Sequence, residues 1–178
     1  MQASSTAAAK PMLIRTYSAV SAALLLFGAL LYAITSEAPV RLSSRAVIAP
    51  LQALVGLTAI VWLLMVLFRN GAVLRGLVSM RYYRDYVSGP PAEWVERPAR
   101  VFDNLMQVPM LFYVVCVLML VGDRVDNVQL TLAWLFVATR AAHAIIYIAV
   151  NHVPSRFASY AGGCITLGVL WARFAAHA

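Results

Sequence analysis

Apolar residues fall in five runs separated by short polar links: residues 16–34, 47–68, 101–121, 128–150 and 157–174. Each holds 18 to 23 residues, which at about 1.5 Å per helical residue crosses a hydrocarbon layer of roughly 30 Å. The first is uncharged, with the core Ala22-Ala23-Leu24-Leu25-Leu26-Phe27. A cleaved signal peptide is the rival reading for it. Lys10 and Arg15 make a basic lead, and Ser36-Glu37-Ala38 is a weak cleavage pattern. The second run carries Pro50 in its first turn, where proline costs little. Gly162-Gly163 in the fifth predicts a close helix contact. Residues 1–13 read as a frayed tail.

Polar side chains at the ends of three runs are spaced for helices. Arg97, Arg100, Asn104 and Gln107 stand at offsets 0, 3, 7 and 10, which is one helical stripe. Arg140, His143 and Tyr147 stand at offsets 0, 3 and 7, and Arg156 and Tyr160 are four apart. Three helices with such stripes predict one shared, hydrated, cationic pocket. Arg97 and Arg100 also fit ordinary interface arginines that reach lipid phosphates. Asn104 and Gln107 lie too deep for that and need a neighbouring helix or a ligand. Arg140, midway along its run or past it, is costly there unless it faces a partner. His143 fits a structural hydrogen-bonder as well as a site residue. No metal site is expected, because no second histidine or carboxylate stands at ligand spacing.

Composition agrees with the pattern. Of 178 residues 62% are hydrophobic, and mean hydropathy is +0.79, beyond a soluble domain. The net charge of +7 comes from 14 basic residues, all arginine but Lys10, against 7 acids. These arginines flank apolar runs, which argues against nucleic-acid binding and for charged membrane loops. Cys116 and Cys164 lie within apolar runs and read as small buried residues. Residues 69–100 carry Arg69, Arg75, Arg81, Arg84, Arg97 and Arg100 against Asp85, Glu93 and Glu96. The positive-inside rule puts this loop and the N-terminus in the cytoplasm and the C-terminus outside. All three stripes then sit at the cytoplasmic face.

Glu96-Arg97-x-x-Arg100-x-x-x-Asn104-x-x-Gln107-x-Pro109 resembles the second-helix signature of the MAPEG family, the membrane-associated proteins in eicosanoid and glutathione metabolism. Arg140-x-x-His143-x-x-x-Tyr147, followed by Arg156 and Tyr160, is similar to the family's third and fourth helices in the microsomal glutathione transferase and prostaglandin E synthase branch. The resemblance implies an all-α integral membrane protein: a four-helix bundle over residues 46–178 plus an extra N-terminal transmembrane helix within residues 1–45. It implies a homotrimer in a bacterial inner membrane, with glutathione held between subunits near the cytoplasmic face. The implied site is Arg97, Arg100, Asn104, Gln107, Arg140, His143, Tyr147, Arg156 and Tyr160, with Arg75 a weaker candidate and Arg156 the catalytic group beside the thiol. The partner implied is a small apolar electrophile from the bilayer. Two positions depart from the family, which commonly has His at Phe102 and Glu at Gln107; the neutral Gln107 leaves one anion fewer for the ammonium of glutathione. A thiol-transfer enzyme and a non-catalytic ligand-binding or complex-stabilising subunit both stay open here.

Overall fold

The computed structural model describes residues 3–87 and 89–176, with backbone alone for 3–14. Long helices dominate. α1 (Ala3–Thr35) is followed by a two-residue strand, β1 (Arg41–Leu42), and a 3-10 turn (Ser44–Val47) that runs into α2 (Ile48–Leu74). After the four-residue α3 (Tyr82–Asp85) come α4 (Glu93–Val121), strand β2 (Val125–Asp126), α5 (Asn127–Ile145), a π turn (Ile146–Val150) and α6 (Val153–Ala176). Helix begins at Ala3, well before residue 16, so the expected frayed tail is not found there. Ala7-Ala8-Ala9 are strong helix formers and extend α1 backwards.

Among the described residues four segments are long and apolar enough to cross a membrane: Arg15–Thr35, Ser44–Leu74, Glu93–Val121 and Asn127–Val150. The chain is an all-helical integral membrane protein. The fifth expected span forms as α6, whose 24 residues reach about 36 Å. It falls outside the apolar set because Arg156, Ser159, Tyr160, Thr166 and Arg173 punctuate it. α6 packs most extensively on α5, and α2 on α4. Water gives no hydrophobic push between helices in lipid, so shape and polar contacts hold them. Phe112 of α4 stacks on Phe136 of α5 at 4.8 Å, and Trp171 Nε1 of α6 donates to the Leu111 carbonyl. α4 runs through Pro98 and Pro109, each of which removes one helical hydrogen bond.

The two ends of the bundle differ. At the strand end, β1 pairs antiparallel with β2, Arg41 opposite Asp126 and Leu42 opposite Val125. The Val40 N–H donates to Asn127 Oδ1 at 2.7 Å, and Asp126 and Gln129 form a capping box that starts α5. Asp126 also pairs with Arg173 at 3.1 Å, tying in the last turn of α6. At the loop end, residues 75–92 connect α2 to α4, and Arg69 of α2 meets Glu96 of α4 at 2.6 Å. α1 packs on α6 and more lightly on α5.

Candidate functional site

A cleft of about 300 Å³ opens at the loop end between α4, α5 and α6, lined by Asn104, His143, Tyr147, Arg156, Phe157 and Tyr160, with Val153 at its rim. Five of the ten residues expected from the sequence therefore meet in one place: Asn104, His143, Tyr147, Arg156 and Tyr160.

Local structure explains the meeting. The last turn of α5 widens into the π turn, which ends at Asn151 in the left-handed conformation, φ 53°. Asparagine tolerates this region better than most residues. The reversal starts α6 within three residues and brings Arg156 back over Tyr147. The Arg156 guanidinium carbon lies 4.0 Å from the Tyr147 ring centroid, a cation–π contact. Arg156 Nη1 donates to Asn151 Oδ1 at 2.8 Å, and among the described residues no carboxylate pairs with it. His143 Nδ1 lies 3.0 Å from the Arg156 carbonyl. A carbonyl only accepts, so Nδ1 carries a proton. Nε2 is buried without a hydrogen-bond partner, and the centroid of the His143 ring lies 5.9 and 5.5 Å from those of Tyr147 and Tyr160.

Arg140 is 1% exposed and does not line the cleft. Its Nη2 donates to the Tyr160 carbonyl at 2.7 Å and to the Ser159 carbonyl at 3.3 Å. Its guanidinium lies against the faces of Phe136 and Tyr160, at 5.4 and 4.9 Å. Gly163 makes room for it, since a Cβ there would stand 2.2 Å from Nη2. Arg140 thus braces α6 from behind the cleft wall, using carbonyls where a deep arginine was expected to face a site.

Arg97 sits beside the cleft. Its Nη1 donates to the Ile148 carbonyl of the π turn at 3.3 Å, and its Nε lies 3.7 Å from Glu93 Oε1. Arg75, Arg100 and Gln107 are exposed and outside the cleft. Arg75 closes the C-terminal end of α2. Arg100 and Gln107 lie on a face of α4 left uncovered by its neighbours α2, α6 and the π turn. Asn104 bridges both surroundings: it lines the cleft while its Nδ2 donates to the Arg100 carbonyl at 2.8 Å.

Two participants escape a reading of the sequence. Glu93 looks like a loop charge and Asn151 like a turn residue, yet Asn151 Nδ2 donates to Glu93 Oε1. This links Arg97, Glu93, Asn151 and Arg156 in one chain of contacts. The left-handed tendency of Asn151 and the i,i+4 spacing of Glu93 to Arg97 were the available signals.

The sequence profile of the MAPEG family matches residues 47–176. This chain belongs to the MAPEG family. α1 lies outside the matched MAPEG region, whereas the whole cleft lies inside it. No curated protein and no solved structure matches the chain.

Proposed function

We propose that this MAPEG protein binds glutathione in the cleft around Arg156 and activates its thiol against apolar electrophiles drawn from the bilayer. The observation that carries this is Arg156 itself: a cleft-lining guanidinium with no carboxylate partner among the described residues, in the first turn of α6. Fixed positive charge and the unpaired N–H groups of a helix start both favour an anion. A thiol of pKa about 8.5 is mostly protonated at neutral pH, and such surroundings lower that value. Arginine keeps its own proton, so Arg156 stabilises the thiolate while the thiol proton leaves to water. The thiolate then forms an S–C bond with the electrophile, whose displaced electron pair goes to a leaving group or takes up a proton. Arginine forks also suit the two glutathione carboxylates.

The same reading places the cleft at the cytoplasmic face of a bacterial inner membrane, supported by the arginine excess of the 69–100 loop. It makes the protein a homotrimer. Arg100, Asp103 and Gln107 are exposed on α4 in a segment long enough to span, and polar groups at that depth call for a protein neighbour. The placement of Arg100 and Gln107 outside the cleft, with apolar Phe102 nearby, favours the second reading, a non-catalytic ligand-binding or complex-stabilising subunit.

Ultraviolet absorbance of thiolate, measured as glutathione is added to purified protein, separates the two. One thiolate per bound glutathione is expected of the enzyme and none of the binding subunit. Arg156→Ala is expected to lower turnover about 10²–10³-fold, and Arg156→Lys, which keeps charge but loses the planar fork, to retain part of it. Turnover within about twofold of wild type in a folded Arg156→Ala protein would reject the catalytic role.

A further inference from the structure

We infer that residues 74–87, which leave α2 and carry α3, dock on the headgroups of an anionic lipid leaflet. The docking is independent of what the cleft binds.

Part of the segment is fastened to the bundle. Val78 is buried with Ala72 of α2 and Val95 of α4, and Tyr82 and Tyr83 pack against them. The Arg69 guanidinium carbon lies 5.2 Å from the Tyr83 ring centroid, and Arg69 is itself held by Glu96. Tyr82 meets the rings of Tyr83 and Tyr86 edge-on at 5.2 and 5.7 Å. Left-handed residues bound this part, Gly76 at φ 67° just past α2 and Tyr86 at φ 55° ending α3. The remaining side chains are apolar where a loop in water would be polar. Leu74, Leu77, Met80, Tyr86 and Val87 are between 59% and 87% exposed. Five large apolar side chains bared within one short segment mark a surface that meets a membrane or another protein.

Depth and charge decide between the two. α2 has 27 residues and α4 has 29. They make about 40 and 44 Å of helix, against a hydrocarbon layer of roughly 30 Å. The excess lies at the loop end, since the apolar run of α2 stops at Arg69-Asn70 and α4 opens with Glu93, Glu96 and Arg97. Residues 74–87 therefore stand at headgroup depth or just beyond it, beside the ends of two spans. They carry Arg75, Arg81 and Arg84 against one carboxylate, Asp85. Asp85 Oδ1 already accepts from the Val87 N–H at 3.0 Å. Arg81 reaches Asp85 only at 3.8 Å, with its side chain 80% exposed, so its guanidinium stays open to another anion. Arg75 and Arg84 are exposed as well. Guanidinium forks match phosphate, and leucine, methionine and tyrosine enter the boundary between headgroups and acyl chains. Contact between two copies of this segment would bring arginine against arginine. Cations interleaved with apolar groups at this depth fit an anionic leaflet.

Hydrogen exchange read by mass spectrometry tests the docking on the purified full chain in lipid nanodiscs. One set is made of phosphatidylcholine, and in the other about a third of the lipid is phosphatidylglycerol. Backbone amides of residues 76–87 are expected to exchange about tenfold more slowly in the anionic discs, and to lose that protection as salt screens the surface. Arg81→Gln combined with Arg84→Gln is expected to bring the two compositions within about twofold of each other. Arg81→Lys combined with Arg84→Lys keeps the charge and is expected to keep the protection. Equal exchange of the wild type in both discs overturns the inference. If it is slow there and in detergent, a protein segment covers the loop; if it is fast, nothing does. Protection by phosphatidylglycerol that survives in the glutamine pair overturns it too, because the lipid then acts elsewhere on the chain. Protection lost in the lysine pair makes the arginines props of the loop and overturns it likewise.

Discussion

At the scale of single residues, type and spacing located the polar groups but not their directions. Arg140, His143, Tyr147, Arg156 and Tyr160 were legible from periods of three and four, and four of them line one cleft. Arg140 does not, because the guanidinium is long enough to reach back to carbonyls on α6. The adjacent glycines give a sharp check on that brace. A Cβ at Gly163 would lie 2.2 Å from Arg140 Nη2 and 2.8 Å from Cζ, whereas one at Gly162 would meet the Phe27 ring at 3.4 Å, ordinary contact. Gly163→Ala is therefore expected to cost about 1–3 kcal/mol, as overpacking does, and Gly162→Ala much less. Thermal melting in detergent reads both. Equal midpoints for the two variants would mean that Arg140 moves aside freely.

At the scale of elements, apolar run length predicted the long helices, but their ends shifted. α4 begins at Glu93, one turn before the Arg97 stripe, since Glu93 and Glu96 suit a first turn and Pro98 is absorbed within it. The π turn was invisible, because widening by one residue leaves no mark in hydrophobic spacing. Its effect is large, for it sets the reversal at Asn151 that carries Arg156 over Tyr147. The extra helix is a lighter component. Among its described side chains, apart from Leu31, which is buried, and Phe27 and Ile34, which pack against the core, the large ones are mostly exposed. Removal of residues 1–36 leaves the Val40–Asn127 contacts and the β1–β2 pairing in place. The truncated chain is expected to keep its cleft and the proposed trimer. Native mass spectrometry in mild detergent checks this, and dissociation to monomer on truncation would show that α1 belongs to the assembly interface.

For the whole molecule, charge asymmetry along the sequence already implied that the three polar stripes share one face. The structure places the 75–92 loop, the π turn and the start of α6 at one end and both strands at the other. Reporter fusions at residues 90 and 178 are expected on opposite sides of the membrane, with residue 90 in the cytoplasm. Fusions that land on the same side would break the topology. What no stretch of sequence could disclose is the seam between Arg41–Leu42 and Val125–Asp126, since two-residue strands carry no period to read. That seam has a consequence for biosynthesis. Val40 and its partner Asn127 are 87 residues apart, so at roughly 5–20 residues per second the ribosome needs several seconds between making one edge and making the other. Through that interval the first hairpin waits with its strand edge unpaired. The seam closes only once α4 has crossed and delivered its far end to the side where the hairpin link already lies. A chain whose α4 inserts backwards is left with both edges open, on opposite sides of the membrane.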